Sequence, residues 1–227
     1  MNYTSIKRWL FCATILLISL LTTAQAAKLE EVFNGSMLGT TQRYFESVAG
    51  IPIRKLDDTY HFVVEGCNVQ AFIKDEEVSA LRLELRHNCQ ANLSSFGFNR
   101  STRRLTFGYF TSGEYPEAQY AFDPSFYANC LKHCGNAFDP SVYAVWEGDD
   151  SRDFITVMLE TTSGLGIELS HQWRNYMEQQ GDYILGCEDR ISYIATQAFE
   201  NAEVEALTIG HNLFHFEPFK SLKSLCS

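Results

Sequence analysis

Three consecutive segments alternate between apolar and polar residues and restrict the fold more than any other feature: TYHFVVE from Thr59, CNVQAFIK from Cys67 and VSALRLELR from Val78. A period of two sends successive side chains to opposite faces of a strand. In the third segment Val78, Leu81, Leu83 and Leu85 stand against Arg82, Glu84 and Arg86, with Ala80 the one slip in parity. Asp75, Glu76 and Glu77 supply the turn between the last two segments. The pattern predicts a half-buried antiparallel meander, since parallel strands covered on both faces read as unbroken apolar runs. RLTFGYF (104–110), DFITVMLETT (153–162) and VEALTIG (204–210) read as further strands.

Helices are expected around this sheet. Thr41 to Val48 carries Tyr44, Phe45 and Val48 on one face, Gly50 offers a left-handed stop, and Ile51-Pro52 prevents continuation. FDPSFYA (122–128) recurs sixteen residues later as FDPSVYA (138–144). Each copy reads as a helix start: Asp123 or Asp139 as N-cap, Pro124 or Pro140 at the first helical position, and a phenylalanine–tyrosine staple. SHQWRNYMEQQG (170–181) and EDRISYIATQAFENA (188–202) are further helices, the second striped by Ile191, Ile194, Ala195, Ala198 and Phe199. The order of elements predicts an α+β fold: an antiparallel sheet with short helices packed on it, which admits two tandem helix-plus-meander units.

Residues 1–26 read as a secretory signal peptide, with Lys7 and Arg8, an apolar stretch from Trp9 to Leu21, and Ala24-Gln25-Ala26 as the cleavage pattern. The expected product is a single exported α+β domain, 27–227, with halves at about 27–104 and 105–227, periplasmic or secreted and without a transmembrane segment. The whole chain has a formal net charge of −10; losing Lys7 and Arg8 leaves 16 basic against 28 acidic residues, a net charge of −12. Such a surface repels phosphate backbones, so nucleic acid is not an expected partner, whereas a basic partner could be steered to it.

Cleavage leaves six cysteines: Cys67, Cys89, Cys130, Cys134, Cys187 and Cys226. An even number in an exported chain reads as a disulfide framework whose pairing the sequence leaves open. On the expected repeat helix Cys130 and Cys134 lie one turn apart. A redox pair is opposed by their position at a helix C-terminus, and zinc by the lack of further ligands at suitable spacing. A direct Cys130–Cys134 bond, or bridges to other elements, remain open. Cys67 with Cys89 is the next pairing: a turn at Glu76 sets Cys67 opposite about Leu85, so Cys89 must curl back to meet it.

Signals for catalysis are weak. DDSRD (149–153) lacks the glycine and terminal glutamate of a calcium loop, and His211 with His215 lacks an HExxH context. There is no nucleophile elbow, P-loop or dinucleotide fingerprint. No catalytic residue, metal or cofactor is assigned. The aromatic loop FGYFTSGEYPEAQYAF (107–122) offers Tyr109, Phe110, Tyr115 and Tyr120 as a binding surface, against packing beneath the loop.

Met37 to Leu85 resembles a known unit. Leu38-Gly39-Thr40-Thr41 leads a helix to Val48-Ala49-Gly50-Ile51-Pro52, and a meander with a charged turn comes next. This is similar to the repeat shared by β-lactamase inhibitor protein and the small accessory lipoprotein of the outer-membrane barrel-assembly machine. Gly39, Gly50 and Pro52 match as structural positions; Leu38 replaces the family's methionine, and the lipid-anchoring cysteine is missing. The resemblance implies an α+β fold used as a binding surface and carries no catalytic residues. A second copy would begin near Leu105-Thr106-Phe107-Gly108, without the G-x-P stop. The leading expectation is a disulfide-stapled protein-binding module whose partner is another envelope or secreted protein: an inhibitor, an immunity-type protein or an envelope-assembly accessory. The alternatives are an envelope hydrolase with a carboxylate acid/base pair, or a small-ligand carrier.

Overall fold

A computed structural model describes residues 27–86, 88–98, 101–108, 124–129, 141–146, 155–161, 195, 199–217 and 219–224. Among the described residues eight strands form one sheet: β1 (Arg54–Leu56), β2 (Thr59–Val64), β3 (Cys67–Lys74), β4 (Glu77–Glu84), β5 (Ser125–Asn129), β6 (Ser141–Trp146), β7 (Thr156–Thr161) and β8 (Ala206–Gly210). Their order is β1-β2-β3-β4-β8-β7-β6-β5, and every pairing is antiparallel. Two meanders of four strands thus meet through their last strands. The α+β class and the antiparallel sheet are as the alternation implies.

Tight turns set the register of the first meander. Asp57, Glu65, Gly66, Asp75 and Glu76 all have positive φ in the two-residue loops after β1, β2 and β3. Such turns carry the twist that paired strands require. The parity slip at Ala80 is a β-bulge: Phe72 pairs with Ala80, but Ile73 pairs with Val78, leaving Ser79 as the extra residue. Val78, Leu81 and Leu83 therefore share one face, while Ala80 turns to the other with Phe72.

The first face carries the larger core. Helix α1 (Leu29–Val32) and helix α2 (Gln42–Ala49) cover its first meander. Thr41 caps α2, its Oγ1 accepting from Tyr44 N–H at 3.3 Å, and Gly50 ends it at φ 88°. Phe45 then packs edge-on against Phe62 of β2, with centroids 5.2 Å apart. Leu29 N–H donates to Glu65 Oε2 at 2.8 Å, tying the start of α1 to the β2–β3 turn. Over the second meander Phe107, Phe126 and Phe199 form a trio with centroids 6.1 to 6.4 Å apart. Ala195 and Phe199 are helical and buried, as the stripe predicts.

The opposite face is divided. Phe72, Ala80, Tyr127, Tyr143, Val145 and Met158 are covered by the C-terminal segment, which contributes Leu213, Phe216, Phe219 and Leu222. This segment comprises a 3-10 turn (Leu213–His215) and helix α3 (Phe219–Ser224). At the seam Gly210 lies opposite Ala80, where a Cβ would strike Ala80 and the Ser79 carbonyl oxygen.

Two expectations are corrected. The FDPSFYA and FDPSVYA repeats do not start helices: Ser125–Asn129 and Ser141–Trp146 are neighbouring strands, with Tyr127 opposite Tyr143. A residue before proline is driven towards extended backbone, and the aromatic and β-branched residues beyond it suit a sheet. The helical spacing inferred for Cys130 and Cys134 rested on that start; both residues lie outside the described residues. The described part of RLTFGYF, 104–108, is not a strand either. Thr106 makes an isolated bridge to Glu203, and Phe107 and Gly108 are already helical.

Candidate functional site

Cys67 and Cys89 are joined in a disulfide with Cα atoms 5.5 Å apart. The chain leaves β4 and turns back at Arg86–Cys89, where Cys89 N–H donates to the Arg86 carbonyl at 2.9 Å. This is the curl that the register requires. Cys130, Cys134, Cys187 and Cys226 lie outside the described residues, as do Tyr109, Phe110, Tyr115 and Tyr120 of the aromatic loop and the signal segment 1–26. His211 is half-buried and donates its backbone N–H to the Ser79 carbonyl. His215 is exposed, its Nδ1 3.4 Å from Lys74 Nζ. Among the described residues no three His, Cys, Asp or Glu side chains converge as metal ligands, and no helix is long and apolar enough to cross a membrane.

Two regions of the molecule are chemically distinctive. The first is a polar seam on the divided face. Arg82 of β4 reaches across β8 to Glu160 of β7, donating Nε at 3.1 Å and Nη2 at 2.9 Å to Oε2. The span is possible because the intervening residue is Ala206, which pairs with Glu84 on one side and Glu160 on the other. Glu84 accepts from Asn68 Nδ2 at 2.7 Å, Arg82 Nη1 at 3.4 Å and Arg86 Nη2 at 3.3 Å. A cleft of about 470 Å³ opens beside these side chains. Burial pushes the Glu84 carboxyl up, but the Asn68 hydrogen bond and the Arg82 and Arg86 charges outweigh it and hold the group below its ordinary value. A general acid needs the opposite shift. Chemically, the cluster is a charge-paired clamp between the meanders.

This clamp makes stability depend on pH. A carboxyl with a depressed folded pKa adds stability above its unfolded value, near 4.5, and loses it as pH falls through the folded value. Glu84→Gln is expected to be less stable than the parent at pH 7, with the gap closing towards pH 3. Urea melts of both proteins across that range check this; a gap independent of pH contradicts it.

The second region is the β1 edge. Among the described residues β1 ends the sheet and pairs only with β2. Among the described residues the exposed large apolar side chains are Tyr44 (53%), Ile51 (90%), Ile53 (70%), Leu56 (45%) and Val63 (50%), all within twenty positions around this edge. Scattered exposed apolar residues are ordinary, but Ile51, Ile53 and Leu56 follow one another along the chain that enters and forms β1. Lys55 lies over the Tyr60 ring at 4.6 Å, covering the helix-bearing face of the edge. On the other face a cleft of about 460 Å³ separates the β1–β2 hairpin from the C-terminal segment, lined by Leu56, Asp57, Asp58, His61 and Glu217 among others. His61 Nε2 is buried and finds no hydrogen-bond partner among the described residues. Burial, with the Arg54 and Arg82 charges, lowers the His61 pKa against the pull of Glu84.

Neither region is evident in the sequence. Arg82 and Glu84 read as the solvent side of an alternating strand, and Ile51 as part of the helix stop with Pro52. Which strand closes the sheet is not written in any local pattern. Comparison of the chain with protein-family models, curated proteins and solved structures gives no match.

Proposed function

We propose that the chain is a disulfide-stapled protein-binding module that engages its partner, another exported protein, along the β1 edge. The observation that carries this reading is the exposure of Ile51, Ile53 and Leu56 along the chain that enters and forms β1, the end strand of the order among the described residues. Such an edge offers main-chain groups to an added strand, and the alternate side chains beside it supply selectivity. The helix-plus-meander resemblance, which implies a fold used for binding, supports the same reading. Three strand residues provide few main-chain bonds, so the apolar contacts must contribute much of the affinity.

The test places a photo-crosslinking amino acid at Ile53 and, as a control, at exposed Arg103, in the chain's native extract. A discrete one-to-one adduct is expected from Ile53 and not from Arg103, and Ile51→Ser is expected to lower its yield severalfold. Equal labelling from both positions, or none from Ile53, contradicts the reading.

A further inference from the structure

Strand β1 has three residues, and the register shows which of them turns its main chain away from β2. Two counts agree. The loop between β1 and β2 holds two residues, Asp57 and Asp58, so Leu56 and Thr59 close it as a hydrogen-bonded pair. From the other side, Ile73 N–H donates to the Asp58 carbonyl at 2.8 Å. That makes Thr59 and Phe72 a non-hydrogen-bonded pair and leaves the Thr59 main chain facing β1. Bonded and open pairs alternate along an antiparallel ladder. Arg54 with His61 is therefore bonded and Lys55 with Tyr60 is open, so the Lys55 N–H and C=O point to the outer side. Before Arg54 the edge closes again. Ile53 N–H is taken by the His61 carbonyl at 2.8 Å, so Ile53 and Arg54 together face His61 in a bulge, and Pro52 has no N–H to offer.

We infer that the partner pairs with β1 through a single bridge at Lys55, and that it is an extended segment of another protein, not a second copy of this chain. The inference rests on the edge-binding reading and adds the register and the kind of occupant. Two copies meeting antiparallel along this edge have one register, Lys55 opposite Lys55, because no other β1 residue has main-chain groups to exchange. That sets two lysines directly across from each other on one face, which is unfavourable. A parallel meeting needs outward groups on two residues spaced two apart, and β1 has no such pair. A foreign segment avoids both obstacles with a non-basic residue opposite Lys55. Its neighbouring residue then falls beside exposed Leu56, on the opposite face from Lys55, and an apolar side chain there covers that leucine. A lysine, a bulge and a nearby proline are devices by which an edge resists open-ended strand pairing, so one bridge is what this edge admits.

The test uses the full chain in its native extract with the photo-crosslinking amino acid at Ile53. In the isolated adduct the Lys55 amide is expected to exchange about tenfold more slowly than in the free chain, while Arg54 and Leu56, already bonded to β2, change less than about twofold. Lys55→Pro removes the outward N–H and no β1–β2 bond. It is expected to melt within a few degrees of Lys55→Thr and to lower the adduct yield about fivefold relative to it. The parent is expected to sediment as a monomer at millimolar concentration. Slowing at Arg54 or Leu56 with Lys55 unchanged, or equal adduct yields from the two variants, would overturn the bridge at Lys55 while leaving contact at the edge intact. Dimers of the parent with a slowed Lys55 amide would overturn the choice of a foreign partner. If Lys55→Pro does not fold, the exchange result decides on its own. No adduct from Ile53 would overturn the edge-binding reading and this inference with it.

Discussion

Replacing Cys67 and Cys89 together by alanine is expected to lower the free energy of unfolding by about 3 kcal/mol. The bridge closes a loop with a sequence separation of 22, and closing it restricts the unfolded chain. Both cysteines are buried, so the bond also pins the turn at Arg86–Cys89 beneath the core. Beyond that turn Leu93, Phe96 and Phe98 pack into the larger cluster, and Phe96 meets Phe33 at 5.2 Å. Urea unfolding of the double variant beside the oxidised parent measures the loss. A change under about 1 kcal/mol would mean that packing alone holds this segment and that the staple is dispensable.

Phe72→Ala is expected to cost about 3–4 kcal/mol and to loosen the C-terminal segment before the rest of the sheet. Phe72 is 1% exposed and its ring lies 5.3 Å from Phe216 and 5.4 Å from Phe219. Its neighbours Ala80 and Gly210 are small, so neither can fill the space it leaves. Hydrogen exchange should show early opening of 213–224 in the variant, while β3 and β4 stay protected. Uniform opening across the chain would show instead that the two faces unfold as one unit.

These two sites also separate the legible part of the fold from the hidden part. The first meander is legible because period-two alternation is a local signal, and even its defect is informative: the misplaced Ala80 marks the bulge at Ser79. Cys67 and Cys89 are legible as a pair because both lie near a register that can be counted. The Asp-Pro repeats mislead because proline after aspartate suits both the first turn of a helix and the start of a strand. The residues beyond the proline then decide, and here the aromatic and β-branched run pairs with its own repeat. The clamp is illegible because Arg82 and Glu160 are 78 positions apart and meet only through the β4–β8–β7 order. The β1 edge is illegible for the same reason: a sheet's end is a property of strand order.

The central claim, that the partner is held along β1, is tested most directly by amide hydrogen exchange of the full chain, free and in the complex isolated through the Ile53 crosslink. Strand addition predicts slowed exchange within Arg54–Leu56, while Ile53, whose N–H already donates to the His61 carbonyl at 2.8 Å, changes little. Unchanged exchange along β1, with new protection elsewhere on the chain, would contradict the account and move the binding surface away from this edge.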